Sequence, residues 1–449
     1  MHTLLSAGSN ARGQLGNGST DDSHTFQRCS FFGCDPGNLP KGTSRVISVS
    51  AGASHTIVLL EITDSSSNEQ RKELWGCGSG QRGQLGPNFC PQRPFLNTSS
   101  HVFHAINLPL ERYNLQRYSY KMACTAWETT YVALTCVGKG DVVISMGAND
   151  FGDLGIGGHA LGKGCKDDSF HVIHLDHIEI DGLSLKLDTI VVLNLSAGQH
   201  HIVVHLHASL SDDSTRSFIV GWGTSRHGQL TNLSPGTEPG RAPRLLSKPK
   251  LINGSVDIIG LSLGMQHTVF LDALKAVSGI GSNRKGQLST IESLTRVRYV
   301  ACTWHGTYAI VDDEYGAWRI VSFGSNTHGQ LGRIVPSDKV AVEFPDTVDG
   351  LILKGIACGS EHILCLLVTE AHHETEVWGW GWNEHGNLGI GSTNDIHVPV
   401  RILPMNCENT FNIIDIWAGC GTSWLYAMNS PVASITNRCL SNPDRCGFV

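Results

Sequence analysis

Histidine and cysteine are the residues of this 449-residue chain best suited to metal binding or nucleophilic chemistry. Two groups of histidines lie close together in sequence: His171, His174 and His177, and then His201, His205 and His207. Imidazoles at these spacings can bind Zn²⁺. The chain has 22 histidines, however, so chance clusters are expected, and no nearby cysteine or carboxylate completes a tetrahedral set. We therefore predict that the chain holds no metal and no other cofactor.

The 14 cysteines include no CxxC pair, and the first residues contain neither a basic segment nor a long apolar run. Reduced thiols in the cytosol, with the nucleus as a second compartment, are the expectation. The chain also lacks a GxxxxGK[ST] loop, a GxSxG elbow and an HExxH pair, the motifs of common catalytic sites. We predict a protein that is not an enzyme.

Charge and hydropathy exclude further classes of function. The chain has 33 basic and 40 acidic residues, a net charge of −7, which argues against direct binding of nucleic acid. The sequence contains no stretch of roughly 18 apolar residues, the length needed to cross a membrane. Glycine supplies 51 residues and charged residues only 16% of the chain, which favours short strands joined by tight turns.

Two short motifs alternate along the chain, seven copies of each. The first is a Gly-x-Leu turn, with its glycine at Gly13, Gly83, Gly152, Gly228, Gly286, Gly329 and Gly386. The second places a histidine or a small residue three positions after a small residue, at His55, Thr129, His201, His267, Gly306, His362 and Thr422. Strand-forming segments flank both motifs, and one such repeat cannot bury both of its faces alone.

This repeat predicts an all-β, seven-bladed propeller over residues 1–428. The chain begins with the first motif and ends with the second. Strands in residues 3–16 and 413–428 should therefore share one blade and close the ring. We expect insertions at 87–119, 156–188 and 231–254 and a flexible tail at 429–449.

Positions that are alike in all repeats are interpreted as framework. The glycines permit tight turns, and the leucines that follow should pack between blades. The repeated histidine position could supply ligands or bases, or a hydrogen bond between neighbouring loops. We favour the hydrogen bond, because a catalyst needs one unique constellation rather than four similar copies.

Positions that differ between repeats are the candidates for function. The two residues before the repeated histidine position include Trp127 with Glu128, Trp304 with His305, and Glu361. If the blades are equivalent, these pairs surround one end of the propeller. Exposed tryptophan beside acidic residues is typical of a protein interface. The alternative is that both indoles fill the central channel.

A third set precedes the Gly-x-Leu glycine, and six of its seven members are basic or histidine: Arg12, Arg82, His227, Lys285, His328 and His385, with Phe151 as the exception. This rim favours an acidic partner, or is simply a solvated face of turns. The most aromatic turn contains Trp380, Trp382, Glu384 and His385, and we predict that it forms part of a contact surface.

The repeat resembles that of the regulator of chromosome condensation family. The segments 357–362, 377–386, 127–130 and 418–424 are similar to one branch of it. That branch comprises the fungal alpha-tubulin suppressor, also called a killer-toxin-insensitivity protein, and the animal secretion-regulating exchange-factor-like protein. Trp424, in the last of these segments, is therefore added to the predicted contact residues.

The resemblance implies a protein-binding propeller that forms a heterodimer with the small four-cysteine zinc or iron protein of diphthamide synthesis on elongation factor 2. Through that partner it implies a link to the Elongator complex and its modification of tRNA wobble uridines. The alternative is a guanine-nucleotide exchange factor for a Ran-like GTPase, which needs no catalytic motif because it acts by displacing nucleotide from its partner.

Overall fold

The structure is a computed structural model that describes residues 2–64, 66–87, 99–158, 170–231, 244–254, 257–334, 340–345, 348, 350–369, 374–403 and 411–429. The predicted tail beyond residue 429 lies outside this range. The described residues form seven sheets of three or four strands and one two-stranded hairpin. The prediction of an all-β, seven-bladed propeller is confirmed.

The blades are numbered in chain order, with the closing blade last. Blade 1 contains β3 (Thr43–Ala51), β4 (His55–Thr63), β5 (Gln70–Ser79) and β6 (Ser99–Ala105). Blade 2 contains β7 (Ser119–Thr125), β8 (Thr129–Cys136), β9 (Lys139–Gly147) and β10 (His171–Val172). The hairpin consists of β11 (Glu179–Ile180) and β12 (Leu183–Ser184). Blade 3 contains β13 (Val191–Ala197), β14 (His201–Ser209), β15 (Thr215–Thr224) and β16 (Leu245–Asn253).

The remaining blades follow the same order. Blade 4 contains β17 (Ile258–Leu263), β18 (His267–Asp272) and β19 (Val277–Gly281). Blade 5 contains β20 (Val297–Cys302), β21 (Gly306–Asp312) and β22 (Trp318–Gly324). Blade 6 contains β23 (Leu351–Cys358), β24 (His362–Thr369), β25 (Thr375–Gly381) and β26 (Ile396–Leu403). Blade 7 combines β27 (Phe411–Ala418) and β28 (Thr422–Asn429) with β1 (His2–Gly8) and β2 (Ser23–Arg28). Short 3₁₀ turns lie at Leu110–Tyr113, Leu187–Thr189 and Ile291–Ser293.

Closure of the ring depends on pairing between the two ends of the chain. Strand β1 lies antiparallel to β28, in a register that runs from His2 opposite Met428 to Gly8 opposite Thr422. The sheet order is β2-β1-β28-β27, so blade 7 takes two strands from each end. This pairing removes the open sheet edges that an unclosed array would present to solvent.

The core lies between the blades. The second strand of each blade is covered on both faces by neighbouring blades, and β24 accordingly reads His-Ile-Leu-Cys-Leu-Leu-Val with every one of these residues buried. A cluster between blades 7 and 1 brings Leu15, Trp75, Phe103 and Trp424 together. Leu15, Leu85 and Leu388 of the Gly-x-Leu turns are fully buried, as expected for framework residues.

The glycine of the Gly-x-Leu turn is required both by backbone conformation and by close contact. Gly13 has φ +78°, and a Cβ there would lie 2.7 Å from the Cα of His101 on the neighbouring chain segment. Gly386 has φ +74° and would place a Cβ 2.5 Å from the Cα of His24. A side chain at either position would strain the turn and push the strands apart.

The repeated histidines form hydrogen bonds between blades, with Nε2 next to a hydroxyl in the following blade. Four such pairs occur: His55 with Thr130 (3.0 Å), His201 with Thr268 (3.3 Å), His267 with Thr307 (3.1 Å) and His362 with Ser423 (3.0 Å). The Thr130 hydroxyl itself donates to the carbonyl of Gln84, 2.8 Å away. It therefore accepts from His55, which fixes that imidazole as the neutral Nε2–H tautomer.

Each of these histidines also requires the glycine that lies three residues before it. The ring lies over that glycine, so a Cβ at Gly52 would come within 2.7 Å of the His55 ring, and one at Gly264 within 2.1 Å of the His267 ring. Blades 2, 5 and 7 lack the histidine. In blades 2 and 5 the residue three positions earlier is Ala126 or Thr303, whereas blade 7 keeps Gly419 before Thr422.

Burial without a countercharge lowers the pKa of these imidazoles, to about 3 for His55 and His201 and to about 4 for His267 and His362. Unfolding exposes the rings and restores a pKa near 6.5, so the unfolded chain takes up more protons below that pH. We predict that the unfolding free energy falls between pH 6.5 and pH 4, by up to about 1.4 kcal/mol per pH unit for each histidine.

Urea denaturation at several pH values would measure this slope. In the double variant His55→Gln/His267→Gln the amide can still donate to the neighbouring hydroxyl but does not titrate, so we expect a shallower slope. An unchanged slope would mean that these histidines do not govern acid stability.

Candidate protein-binding face

Both motifs lie at the same end of the propeller, which we call the loop face. It consists of the three-residue loops that follow the inner strands and the Gly-x-Leu turns that follow the third strands. In every blade the residue that opens the turn donates its backbone N–H to the last loop residue. These bonds measure 2.7–3.0 Å and link Ser9 to Gly421, Ser79 to Ser54, Ala148 to Glu128, Thr224 to His200, Ser282 to Gln266, Ser325 to His305 and Trp382 to Glu361.

Trp127 and Trp304 meet at the centre of the loop face. Their loops belong to blades 2 and 5, which are not neighbours, yet the ring centroids are 5.8 Å apart with the planes inclined by 43°. Both residues line a central cavity of about 170 Å³. The indoles thus contact each other across the mouth of the channel, and both remain half-buried. This geometry fits both interpretations of the two indoles, namely that they close the channel and that they contact a partner.

Backbone hydrogen bonds between blades hold both tryptophans. Trp127 donates to the carbonyl of Gln199 at 3.0 Å and accepts from the N–H of Ala53 at 2.9 Å. Trp304 donates to the carbonyl of Ser360 at 2.8 Å and accepts from Met265 at 3.0 Å. The two indoles therefore project from a fixed ring of loops, and little backbone freedom is lost when a partner binds.

His305 and Glu361 form a pair beside Trp304. The Nδ1 atom of His305 lies in hydrogen-bond contact with Oε1 of Glu361. The other carboxylate oxygen accepts a 2.8 Å bond from the amide of Gln330, and the Glu361 side chain is largely buried. The buried acid orients the half-buried imidazole, which is left with its Nε2 edge for other contacts.

A second histidine–carboxylate pair lies on the opposite side of the tryptophans. Nδ1 of His200 is 3.2 Å from Oδ1 of the buried Asp153, and the His200 ring lies 4.2 Å from that of Phe151 and 6.4 Å from that of Trp127. Arg226 covers Phe151 at 5.8 Å. Sequence reasoning did not select His200 or Phe151. The available signals were a carboxylate, Asp153, where other repeats carry an amide, and Phe151 as the non-basic member of the rim.

Three of the rim residues are paired with an acid from a neighbouring segment. Arg82 contacts Asp150 and lies 3.9 Å from Glu128, while His328 is 2.8 Å from Asp395. The third pair, His385 with Asp22, measures 2.6 Å. At these three positions the charge of the rim is compensated within the chain.

Trp382 lies at the blade 6 side of the loop face, half-buried, with His385 packed edge-on against it at 5.3 Å. Its indole donates to the exposed Glu384 at 3.3 Å. The ring approaches the neighbouring loop closely, since a Cβ at Gly421 would lie 3.4 Å from it. Trp382, Glu384 and His385 thus remain candidates for partner contact.

Trp380 and Trp424, however, cannot form part of a contact surface, because both are fully buried. The indole of Trp380 donates across the blade boundary to the carbonyl of Gln330 at 3.0 Å, and Trp222 does the same to Asp153 at 2.8 Å. Trp424 packs between blades 7 and 1. The prediction failed for Trp380 and Trp424 because both side chains point between blades, whereas the neighbouring Trp382 lies beyond the end of its strand.

Within the described ranges, no group of three or more His, Cys, Asp or Glu residues could hold a metal ion. His177 contacts the carbonyl of Pro249 at 2.8 Å and His207 the hydroxyl of Ser217 at 3.1 Å. Burial raises the pKa of Cys302 to about 12, so that thiol stays protonated. No helix in the described part of the chain is long and apolar enough to cross a membrane.

The repeat of this chain is similar to a repeat found in known proteins. A sequence profile of the regulator of chromosome condensation (RCC1) repeat matches residues 2–59, 319–366 and 375–425. The ultraviolet-B receptor UVR8 of Arabidopsis thaliana is 25% identical over 442 residues, which cover 94% of this chain and 83% of the receptor. The secretion-regulating guanine nucleotide exchange factor of Mus musculus is 27% identical over 453 residues, covering 93% of this chain and 82% of that protein. Its Bos taurus counterpart is 25% identical over 457 residues, with 95% and 82% covered.

Solved structures share the same fold. Human WBSCR16 superimposes with a TM-score of 0.66 at 18% identity, covering 96% of this chain and 99% of that one. Prp20p of Saccharomyces cerevisiae gives 0.65 at 16% identity, with 96% and 92% covered. At these identities the likeness concerns the fold alone.

The two tryptophans of the 377–386 turn provide a direct test of the site. Trp380→Ala should destabilise the protein by about 3–5 kcal/mol, because it empties a buried site and removes one of the two donors to the Gln330 carbonyl, which would keep only the Tyr308 hydroxyl. Trp382→Ala should cost less than about 1 kcal/mol, since that ring is partly solvated. Urea unfolding of both variants checks this, and equal losses would contradict the assignment.

Proposed function

We propose that this protein, a seven-bladed propeller of regulator of chromosome condensation repeats, binds other proteins through its loop face and does no covalent chemistry itself. The contact between Trp127 and Trp304 is the observation that carries the proposal. Two half-buried indoles from distant parts of the sequence meet where the non-repeating side chains gather. Indoles on a fixed backbone desolvate a large area at small entropic cost, as in interface hot spots.

The polar groups around the indoles suit recognition rather than catalysis. His200 and His305 each share Nδ1 with a buried carboxylate, Asp153 or Glu361, and the opposite ring edge is left for a partner. The repeated histidines are buried between blades, where they link neighbouring sheets. The loop face thus offers aromatic area with oriented hydrogen-bonding groups at its border.

For the partner, we propose the small four-cysteine metal protein of diphthamide synthesis. The support is the resemblance of segments 357–362 and 377–386 to the branch that works with that protein, and through it with Elongator. In this mechanism the indole-lined centre of the loop face covers the metal centre of the partner and limits its exposure to solvent and oxidants. The complex would form in the cytosol, with the nucleus as a second compartment.

A second candidate, an exchange factor for a small GTPase, is favoured by the comparisons. The bovine and murine relatives that carry this name align with 95% and 93% of this chain. An exchange factor acts by displacing nucleotide from its partner, so a rigid binding face without catalytic motifs is sufficient. The same loop face would then contact the GTPase.

Replacement of both central indoles tests the binding face. We expect Trp127→Ala/Trp304→Ala to remain folded and to bind the partner at least ~100-fold more weakly, since each hot-spot tryptophan contributes about 2 kcal/mol or more. Calorimetric titration with the purified metalloprotein measures the loss. The matched control is Tyr315→Ala in blade 5, which removes an aromatic side chain that is 95% exposed at the opposite end.

Unchanged affinity in the folded double variant would remove the two indoles from the interface. Release of labelled GDP from a panel of small GTPases separates the two partners. Acceleration by the wild-type protein that disappears in the double variant would support the exchange factor. No acceleration at any concentration would exclude it, and no binding of the metalloprotein would exclude the heterodimer.

A further inference from the structure

Blades 3 and 4 carry a group of basic residues on the loop face that differs from the rest of the rim. We call it the basic arc; it comprises Arg226, His227, Arg284 and Lys285. These residues form the two positions before the glycine in consecutive Gly-x-Leu turns. Arg226, Arg284 and Lys285 are exposed.

The arc lacks the internal compensation found elsewhere on the rim. In blade 1, Arg82 pairs with Asp150, which occupies the first of these positions in blade 2. The equivalent position in blades 3 and 4 holds Arg226 and Arg284 in place of an acid, so Arg226 lies over Phe151 and Arg284 acts on His227. The described ion pairs at the rim involve Arg82, His328 and His385 but no member of the arc.

The pKa of His227 shows the effect of the other positive charges of the arc. Its pKa is lowered by burial and, after that, by the positive charges of Arg284 and Arg226. Arg226 precedes His227 in the same turn, and Arg284 belongs to the turn of the next blade, so positive charges from two blades act on one imidazole. Like charges held together in this way repel each other, and an anionic group placed among them would relieve the repulsion.

The arc is continuous with the centre of the loop face. Arg226 lies over Phe151, whose ring contacts His200, and His200 in turn lies beside Trp127. Arg226, Phe151 and Arg244 also line a shallow cavity of about 350 Å³. The acid at this edge, Asp150, contacts Arg82. A partner that covers the indoles would therefore extend directly over the arc.

We infer that the basic arc binds an acidic segment of the protein that docks on the loop face. This inference rests on the proposed function, since it assumes that the loop face is the docking surface. A carboxylate-rich segment would pair with Arg226, Arg284 and Lys285 while an apolar part of the partner covers Trp127 and Trp304. The pairing fixes the orientation of the partner, because charge complementarity selects one register of docking.

A protein fits this surface better than a nucleic acid. The blade 6 side of the same face presents the exposed carboxylate of Glu384, which would repel a phosphodiester backbone, and its histidines His328 and His385 are already paired with Asp395 and Asp22. The arc is also short, and the chain as a whole carries a net charge of −7. A short acidic segment satisfies the arc without approaching the opposite side.

The double variant Arg284→Glu/Lys285→Glu tests the inference in the full-length protein. Both side chains are exposed on a turn, so the fold should be retained, as circular dichroism and thermal unfolding will verify. The matched control is Lys139→Glu/Lys275→Glu, the same change of charge on two exposed lysines of hairpins at the opposite end of the propeller, Lys139 at the start of β9 and Lys275 in a turn. The probe is fluorescein-labelled poly-L-glutamate, followed by anisotropy at low and moderate ionic strength.

We expect the wild-type protein and the control to bind poly-L-glutamate, with salt weakening the complex, and the arc variant to bind ~10-fold more weakly or worse. Equal binding by the arc variant and wild type would overturn the inference, as would an equal loss in the control. An oligonucleotide that binds more tightly than poly-L-glutamate, and is lost with the same variant, would also overturn it, in favour of nucleic acid.

The metalloprotein and the GTPases are then titrated against the same variants. Loss of binding in Trp127→Ala/Trp304→Ala with no change in the arc variant would leave the proposed function standing and reject the acidic contact. Poly-L-glutamate binding that depends on the arc, without binding of either candidate partner, would reject those partners while retaining the arc. The two failures are therefore distinguishable.

Discussion

A propeller blade cannot bury either of its faces by itself, so every blade here is stable only between two neighbours. This constraint makes the pairing of β1 with β28 the contact on which the rest depends, because it supplies the seventh blade and with it the last two blade boundaries. The seven loops surround one channel only in a closed ring. The contact between Trp127 and Trp304, across that channel, exists for the same reason.

Six of the seven blade boundaries are held in one of two ways, and the sequence of each of these blades is adjusted to its boundary. At four boundaries the next blade offers a hydroxyl such as Thr130, and the preceding blade supplies a histidine such as His55, with a glycine beneath the ring. Where the next blade has an isoleucine instead, the tryptophan paired with it across the sheet, Trp222 or Trp380, donates to the turn carbonyl. In both arrangements a buried ring N–H, of the imidazole or of the indole, finds an acceptor across the blade boundary.

The blades that lack both the histidine and the glycine three residues before it, 2 and 5, are also those that carry Trp127 and Trp304 in their loops. Because their boundaries are held by Trp222 and Trp380, these loops need neither the glycine nor the imidazole. The functional surface is thus built at the positions that the framework releases. On the same face, Arg82, His328 and His385 are paired with acidic residues of the chain, whereas the described residues include no such partner for the basic arc of blades 3 and 4. The positive charge of the loop face is therefore concentrated on one side.

The sequence by itself determined the number of blades, the closure by the two ends and the framework role of the glycines and leucines, because these recur in every repeat. It also indicated Trp127 and Trp304, which depart from the repeat. It could not separate Trp382, half-exposed beyond its strand, from Trp380, buried two residues earlier, because burial depends on which side chains the neighbouring blade presents. Only the tertiary structure joined His200, Asp153 and Phe151 to Trp127, and only it decided which rim charges are paired, since each partner comes from a different turn, loop or blade.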